Sequence, residues 1–373
     1  MRKEMQRLPL VDALKAFACL TIVIHHLCFY GPLTDELRPF FPESINFFDV
    51  YGRMAVQVFL VVSGFLFGAK FLNGSGTGTG SSGPLQILRQ RYIRLVTPYS
   101  AALLLAIVCS ALARLGMDHH SISDTPTPLQ IVAHIFLLHD LLGYEALSAG
   151  VWYVAIDFQL FALAVLLLWL PGRLGARQGL LQHGGVALVG LMTVVSLFYF
   201  NRQDMLDVTA LYFFGSFGLG ILGWWATTRQ NAHDWLLVLA GLTIAALVVQ
   251  FRPRLAIALV VMLVLGLGRL EGFLHTLPIP TAIGRLSKIS YSVFLVHFPL
   301  CLVMNAIGIN LFEGNPVLQG VWVLASVALS VAVGQVFHER VESYPFPTKL
   351  KLLLPAGAVV AGWLAAVVSG FVG

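Results

Sequence analysis

Long apolar runs alternate with short polar breaks along nearly the whole chain. Eleven of them approach or reach the roughly 20 residues that a helix needs to cross a bilayer. They cover residues 10–29, 51–72, 97–115, 151–170, 184–200, 207–227, 234–250, 254–270, 288–308, 317–338 and 352–372. Lipid offers no hydrogen bonds, so each run must satisfy its own backbone, and a helix does this within one segment. The pattern predicts an all-α fold: a polytopic membrane helix bundle of about eleven transmembrane helices. The run 129–142, LQIVAHIFLLHDLL, is apolar but short, and holds two histidines and an aspartate. It predicts a lateral or re-entrant helix on the same side as its flanking loops.

The basic residues orient the bundle. With the N-terminus inside, sixteen of the 23 Lys and Arg fall in inner segments. Six fall outside, Arg38, Arg53, Arg114, Arg202, Arg252 and Arg254, and Lys15 lies within a span. Cytoplasmic loops carry the excess of positive charge, so the bias predicts N-terminus inside and C-terminus outside. Counting 129–142 as a span would reverse every later segment and spoil the asymmetry.

Composition agrees with the pattern. The chain has 373 residues, of which 58% are hydrophobic and 11% charged, too few charges to clothe a soluble surface. The net charge of +5 then reads as topology and not as a nucleic-acid signal. The first run holds Asp12 and Lys15 and ends in no small-residue cleavage site, so it is expected to be a retained span, not a signal peptide. The four cysteines lie in or beside apolar runs and form no CxxC, which reads as small buried hydrophobes. The stretch NGSGTGTGSSGP (73–84) reads as a flexible linker, since no strand precedes it and no GK[ST] follows.

The first run also raises the chemistry. A helix turns about 100° per residue. Lys15 and His26 are eleven residues apart and fall within about 20° of each other, with Asp12 within about 60° of Lys15. The three make one polar stripe, about 16 Å from lysine to histidine, while His25 points away. Ionisable groups at this depth face protein or a water-filled cavity. Snorkelling of Asp12 and Lys15 to the interface explains part of the stripe equally well. Asp157 lies within VWYVAIDFQLF and His297 within YSVFLVHFPL, both at depth. Arg53 sits at the outer end of its span, and Arg89, Arg91 and Arg94 cluster in RQRYIRLVTPY on the inner side, where a plain positive-inside anchor is the rival reading.

Taken in order, these blocks resemble acyltransferase family 3, the integral-membrane O-acyltransferases of cell-surface and exported glycans. VDALK, with Lys15 and then His26, is similar to the family's opening basic-x10-His block. MAVQVFLVVSGFL, RYIRLVTPY, VWYVAIDFQLF and YSVFLVH follow in the family's order. The resemblance spans residues 8 to about 347. The sequence departs from it in two places: Asp157 stands where the family has glutamate, and the terminal Glu-x-Pro becomes VESYP, with Glu342 and Pro345 one residue further apart. The resemblance divides the chain into a membrane acyltransferase domain, 1–350, whose core is ten helices, and an additional C-terminal transmembrane helix, 351–373.

The resemblance implies transfer of an acyl group, acetyl foremost, from cytoplasmic acyl-CoA to a sugar or glycolipid hydroxyl on the outer side of a bacterial inner membrane. Such a transfer needs a base near neutrality, for which histidine suits. His26 is expected to be that base, with Asp157 orienting it or holding the acceptor. Lys15 would line the donor path or neutralise charge. Arg91 and Arg94 would take the phosphates of the acetyl-CoA donor. Arg53, Trp152 and His297 are expected on the acceptor side, where Trp152 either stacks on a sugar or anchors the interface. No metal is expected. The pairs His119-His120 and His134/His139 read as ordinary surface or helix histidines, because no companion carboxylate spacing suggests zinc. A transporter or flippase of a lipid-linked sugar is the rival reading of the intramembrane charges, and a non-catalytic scaffold is a third. The expected partners are acyl-CoA, the acceptor glycan and the bilayer, with no nucleic acid, and the oligomeric state stays open.

Overall fold

The structure, a computed structural model, describes residues 7–72, 83–173, 178–347, 353–357, 359–362 and 364. The described residues form α-helices and short helical turns, and no strand is found among them. The helices are α1 (Pro9–Tyr30), α2 (Pro32–Leu37), α3 (Pro42–Tyr51), α4 (Val56–Phe71), α5 (Pro84–Arg114), α6 (Pro128–Ile135) and α7 (Val151–Arg173). Then come α8 (Gln178–Phe198), α9 (Ala210–Ala226), α10 (Ala232–Val249), α11 (Pro253–Leu270), α12 (Phe273–Thr276), α13 (Thr281–Leu311) and α14 (Pro316–Phe337). Proline at the first turn opens α2, α3, α6, α11 and α14, where its missing N–H costs nothing. Thr127 and Gln130 close a reciprocal capping box on α6.

Nine described helical segments are long and apolar enough to cross a membrane. They bear out the polytopic all-helical class. α9, at 17 residues, is a little shorter than these, and it occupies the predicted run 207–227. The predicted run 352–372 lies largely outside the described residues, as does the linker 73–84. The segment 129–142 forms only the eight-residue α6 and then turns. Two helices run longer than their apolar cores. α5 and α13 have 31 residues each, about 46 Å against a hydrocarbon thickness of about 30 Å. Hydropathy marks only the apolar stretch, whereas the helix continues through turns that carry Arg89, Arg91 and Arg94.

The chain divides into two compact units. The first comprises Met1–Ala18, Val56–Arg91 and Ile156–Ser287. In it α4 lies against α9 at very close range. A Cβ on Gly64 would fall 1.9 Å from the Phe217 carbonyl oxygen, and one on Gly220 would fall 2.1 Å from that of Val61. Glycines here let the two backbones touch, the usual device of membrane helix pairs. A buried bond from Ser216 Oγ to Gln57 Oε1, 2.6 Å, locks the same pair.

The second unit comprises Cys19–Ala55, Tyr92–Ala155 and Lys288–Gly373. Its core includes Ala113, Phe298, Leu302 and Ala306, with Tyr30 and Met117 packed against them. Burial differs sharply between its last two long helices. In the most apolar window, 78% of α13 is buried inside the protein and only 22% of the segment Pro316–Glu342. α13 is therefore a central helix, and α14 turns Val321 and Leu324 outward, as lipid contact requires.

Candidate active site

The stripe on α1 meets α13. Asp12 accepts from Ser287 Oγ at 2.7 Å and from Arg7 Nε at 3.0 Å. Lys15 Nζ donates to the Ser287 carbonyl oxygen at 3.2 Å. Asp12 and Lys15 thus converge on one residue of α13 that sequence reasoning missed. Its signal was faint: one serine in the amphipathic start of a helix whose apolar run begins only at Lys288.

Arg91 and Asp157 form an ion pair across α5 and α7. The carboxylate is almost wholly buried, and the guanidinium is a quarter exposed. The Phe161 ring, one turn along α7, lies 5.2 Å from the Arg91 guanidinium carbon. This cation sits between a carboxylate and an aromatic face, two contacts that favour arginine over lysine. Arg94, three residues on, is exposed. Residues three apart share a helix face, so Arg91 and Arg94 present one basic edge.

The histidines gather in the second unit. His26 Nδ1 lies 2.7 Å from His297 Nε2, and the two ring planes are within 9° of each other. Both residues are buried. His297 Nδ1 in turn reaches the carbonyl oxygens of Phe294 at 2.8 Å and Val293 at 3.2 Å on its own helix. His26 Nε2 has no hydrogen-bond partner among the described residues. His25 is aimed elsewhere, as the helical wheel predicts: its Nδ1 meets the Phe48 carbonyl oxygen of α3 at 2.9 Å. A side chain at Gly52 would collide with His25, its Cβ falling 2.6 Å from that of the histidine. Arg53 follows in the same turn and is exposed. Trp152 is half-buried in the first turn of α7.

Sequence reasoning thus found the buried groups but not their pairings. The imidazole of His26 is engaged by His297, and the carboxylate of Asp157 by Arg91. A further set escaped it. Glu342 accepts from Ser292 Oγ of α13 at 2.6 Å, and His338 Nδ1 lies 2.9 Å from the same carboxylate. Ser343 Oγ stands 2.8 Å from His338 Nε2. The order serine, histidine, glutamate resembles an activated nucleophile. However, the hydroxyl sits at the carboxyl end of the π-helical turn His338–Glu342 that continues α14, where carbonyl dipoles oppose an oxyanion. We read the set as a clip that ties the end of α14 to the YSVFLVH turn of α13. The unusual spacing of VESYP was its sequence signal.

The pair His134 and His139 is a second clip. The rings stack with centroids 4.1 Å apart, and both side chains are fully buried. His134 Nδ1 meets the Gln130 carbonyl oxygen at 2.8 Å, and the Leu147 N–H donates to its Nε2 at 3.2 Å. Burial pulls the His134 pKa down to about 4 against the raising effect of the Gln130 carbonyl, and pulls His139 to about 3 with help from His134. Both are neutral near pH 7, so the approach of His139 to Asp140, 3.4 Å, is not an ion pair there.

Comparison with known proteins gives one match. Residues 9–338 match the family described as the acyltransferase domain. No curated protein and no solved structure matches the chain. The matched span takes in α1 through α14, and with it the Arg91–Asp157 pair and the His26–His297 pair. This chain therefore belongs to acyltransferase family 3 and is a multi-helix membrane acyltransferase.

Proposed function

We propose that the chain transfers an acetyl group from cytoplasmic acyl-CoA to a hydroxyl of a sugar or glycan on the outer side of a bacterial inner membrane. The observation that carries this reading is His26: a buried imidazole on the first helix whose Nδ1 is spent and whose Nε2 is unbonded. His26 Nε2 takes the proton of the acceptor hydroxyl as its oxygen attacks the thioester carbonyl. The new C–O bond forms, the C–S bond breaks, and the proton passes to the departing thiolate. Exclusion of water by the surrounding helices guards the thioester from hydrolysis.

The other residues take supporting parts. Arg94, the exposed member of the basic edge, meets the donor's phosphates first, with Arg91 one turn behind. Asp157 holds Arg91 in place. Lys15 lines the donor's approach along α1. Arg53 and Trp152 contact the acceptor. The test is the host's surface glycans, isolated with and without this chain and compared by NMR. Loss of an O-acetyl signal on deletion, restored by the wild-type chain, supports the surface-sugar acceptor. Unchanged spectra across all glycan polymers reject it.

A further inference from the structure

With both imidazoles neutral, the hydrogen bonds around His297 have only one consistent direction. Its Nδ1 faces two carbonyl oxygens. Carbonyls only accept, so Nδ1 carries the hydrogen. A neutral imidazole protonated there presents a lone pair at Nε2. That lone pair faces His26 Nδ1 at 2.7 Å, so His26 donates from Nδ1. The lone pair of His26 then lies on Nε2, the nitrogen with no partner among the described residues. Backbone carbonyls of α13 thereby set the tautomer of a histidine on α1.

We propose that His297 is a positioning residue, which fixes His26 in the Nδ1–H tautomer and leaves Nε2 as the nitrogen that accepts the substrate's proton. The proposal rests on the reading of His26 as the base. It moves His297 from the acceptor side to the back of the base. In a serine–histidine–aspartate set a carboxylate does this work. Here the orienting group is neutral, which avoids burying a charge within the bilayer. Once His26 gains a proton at Nε2, its Nδ1–H bond to His297 becomes charge-assisted and strengthens.

The surroundings leave that bond unchallenged. The His25 ring lies 5.1 Å from that of His26 and Tyr30 lies 5.6 Å away. Asp49 and Arg53 act on His25. Phe298 and Phe294 flank the pair with apolar faces. Neither imidazole of the pair meets a carboxylate among the described residues.

The test uses the full chain in lipid nanodiscs with 15N-labelled histidine, the His26 signals being assigned by their loss in His26→Asn. The wild type should show His26 Nδ1 protonated and Nε2 bare. His297→Asn keeps a donor toward the carbonyls but puts nothing at the Nε2 position. It should mix the His26 tautomers and lower kcat on the order of 10-fold or more, with the donor KM unchanged. His297→Gln returns an acceptor oxygen near Nε2 and should restore the tautomer and most of kcat. A wild-type spectrum with Nε2 protonated overturns the proposal. So does equal loss of kcat in the folded Asn and Gln variants, which is the mark of packing alone. Failure of the base reading is separate: wild-type turnover in His26→Ala would remove it, while the 15N spectrum would still decide the tautomer.

Discussion

The protein buries two polar pairs of opposite character. Arg91 and Asp157 form an ion pair, backed by the Phe161 ring. His26 and His297 form a neutral pair backed by carbonyls of α13, and one lone pair is left over. A closed ion pair ties two helices together and positions a cation. An imidazole with one nitrogen committed and the other unbonded is a base waiting for a proton. Under the proposed function, the first pair does structural work and the second does the chemistry.

The largest expected effect breaks the first pair. Asp157→Asn should destabilise the protein by about 2 to 3 kcal/mol, because it removes the carboxylate charge that faces a three-quarters-buried arginine. The added change Arg91→Gln should recover part of that loss. Thermal unfolding in detergent measures both. A loss of kcat at full stability would instead carry Asp157 across to the chemical side of the comparison. Gly64→Ala supplies a reference for pure packing. Its Cβ would overlap the Phe217 carbonyl oxygen and should lower stability by about 1 to 3 kcal/mol, with kcat per folded molecule preserved.

Acid sharpens the contrast in a third way. His134 and His139 have lower pKa values folded than unfolded. Below pH 6.5 the unfolded chain therefore binds protons that the folded chain refuses. The stability present above pH 6.5 falls as the pH drops, by about 1.4 kcal/mol per pH unit for each histidine. The loss continues to about pH 4 for His134 and about pH 3 for His139, and then levels off. Unfolding measured between pH 7 and 5.5 should show this slope, and His134→Gln should reduce it by about half. The smallest effect concerns the donor: Arg94→Ala should raise the acyl-CoA KM about five-fold, about 1 kcal/mol for an exposed charge contact. An unchanged KM would make the inner arginines topology anchors alone.

The helices were legible because a bilayer leaves few other choices, and hydropathy reports where lipid meets the chain. The stripe from Asp12 through Lys15 to His26 was legible because helical spacing is rigid. The pairings were not. Asp157 and Arg91 are 66 residues apart, and His26 and His297 are 271 apart. Only the packing of α5 on α7 and of α1 on α13 brings each pair together, and no local rule encodes it. Ser287 was hidden for a related reason, since α13 begins well before its apolar core. Gly64 lies within the apolar block MAVQVFLVVSGFL, but what requires a glycine there is a backbone on a different helix, α9.

His26 is proposed as the base of an acyl-CoA-dependent transfer. Acetyl-CoA binding and turnover by purified protein in detergent, wild type beside His26→Ala, tests it most directly. Both proteins should bind acetyl-CoA, the wild type should turn it over slowly, and the variant should lose on the order of 100-fold or more in rate. Wild-type turnover in the variant, or no acetyl-CoA binding by either protein, would contradict it.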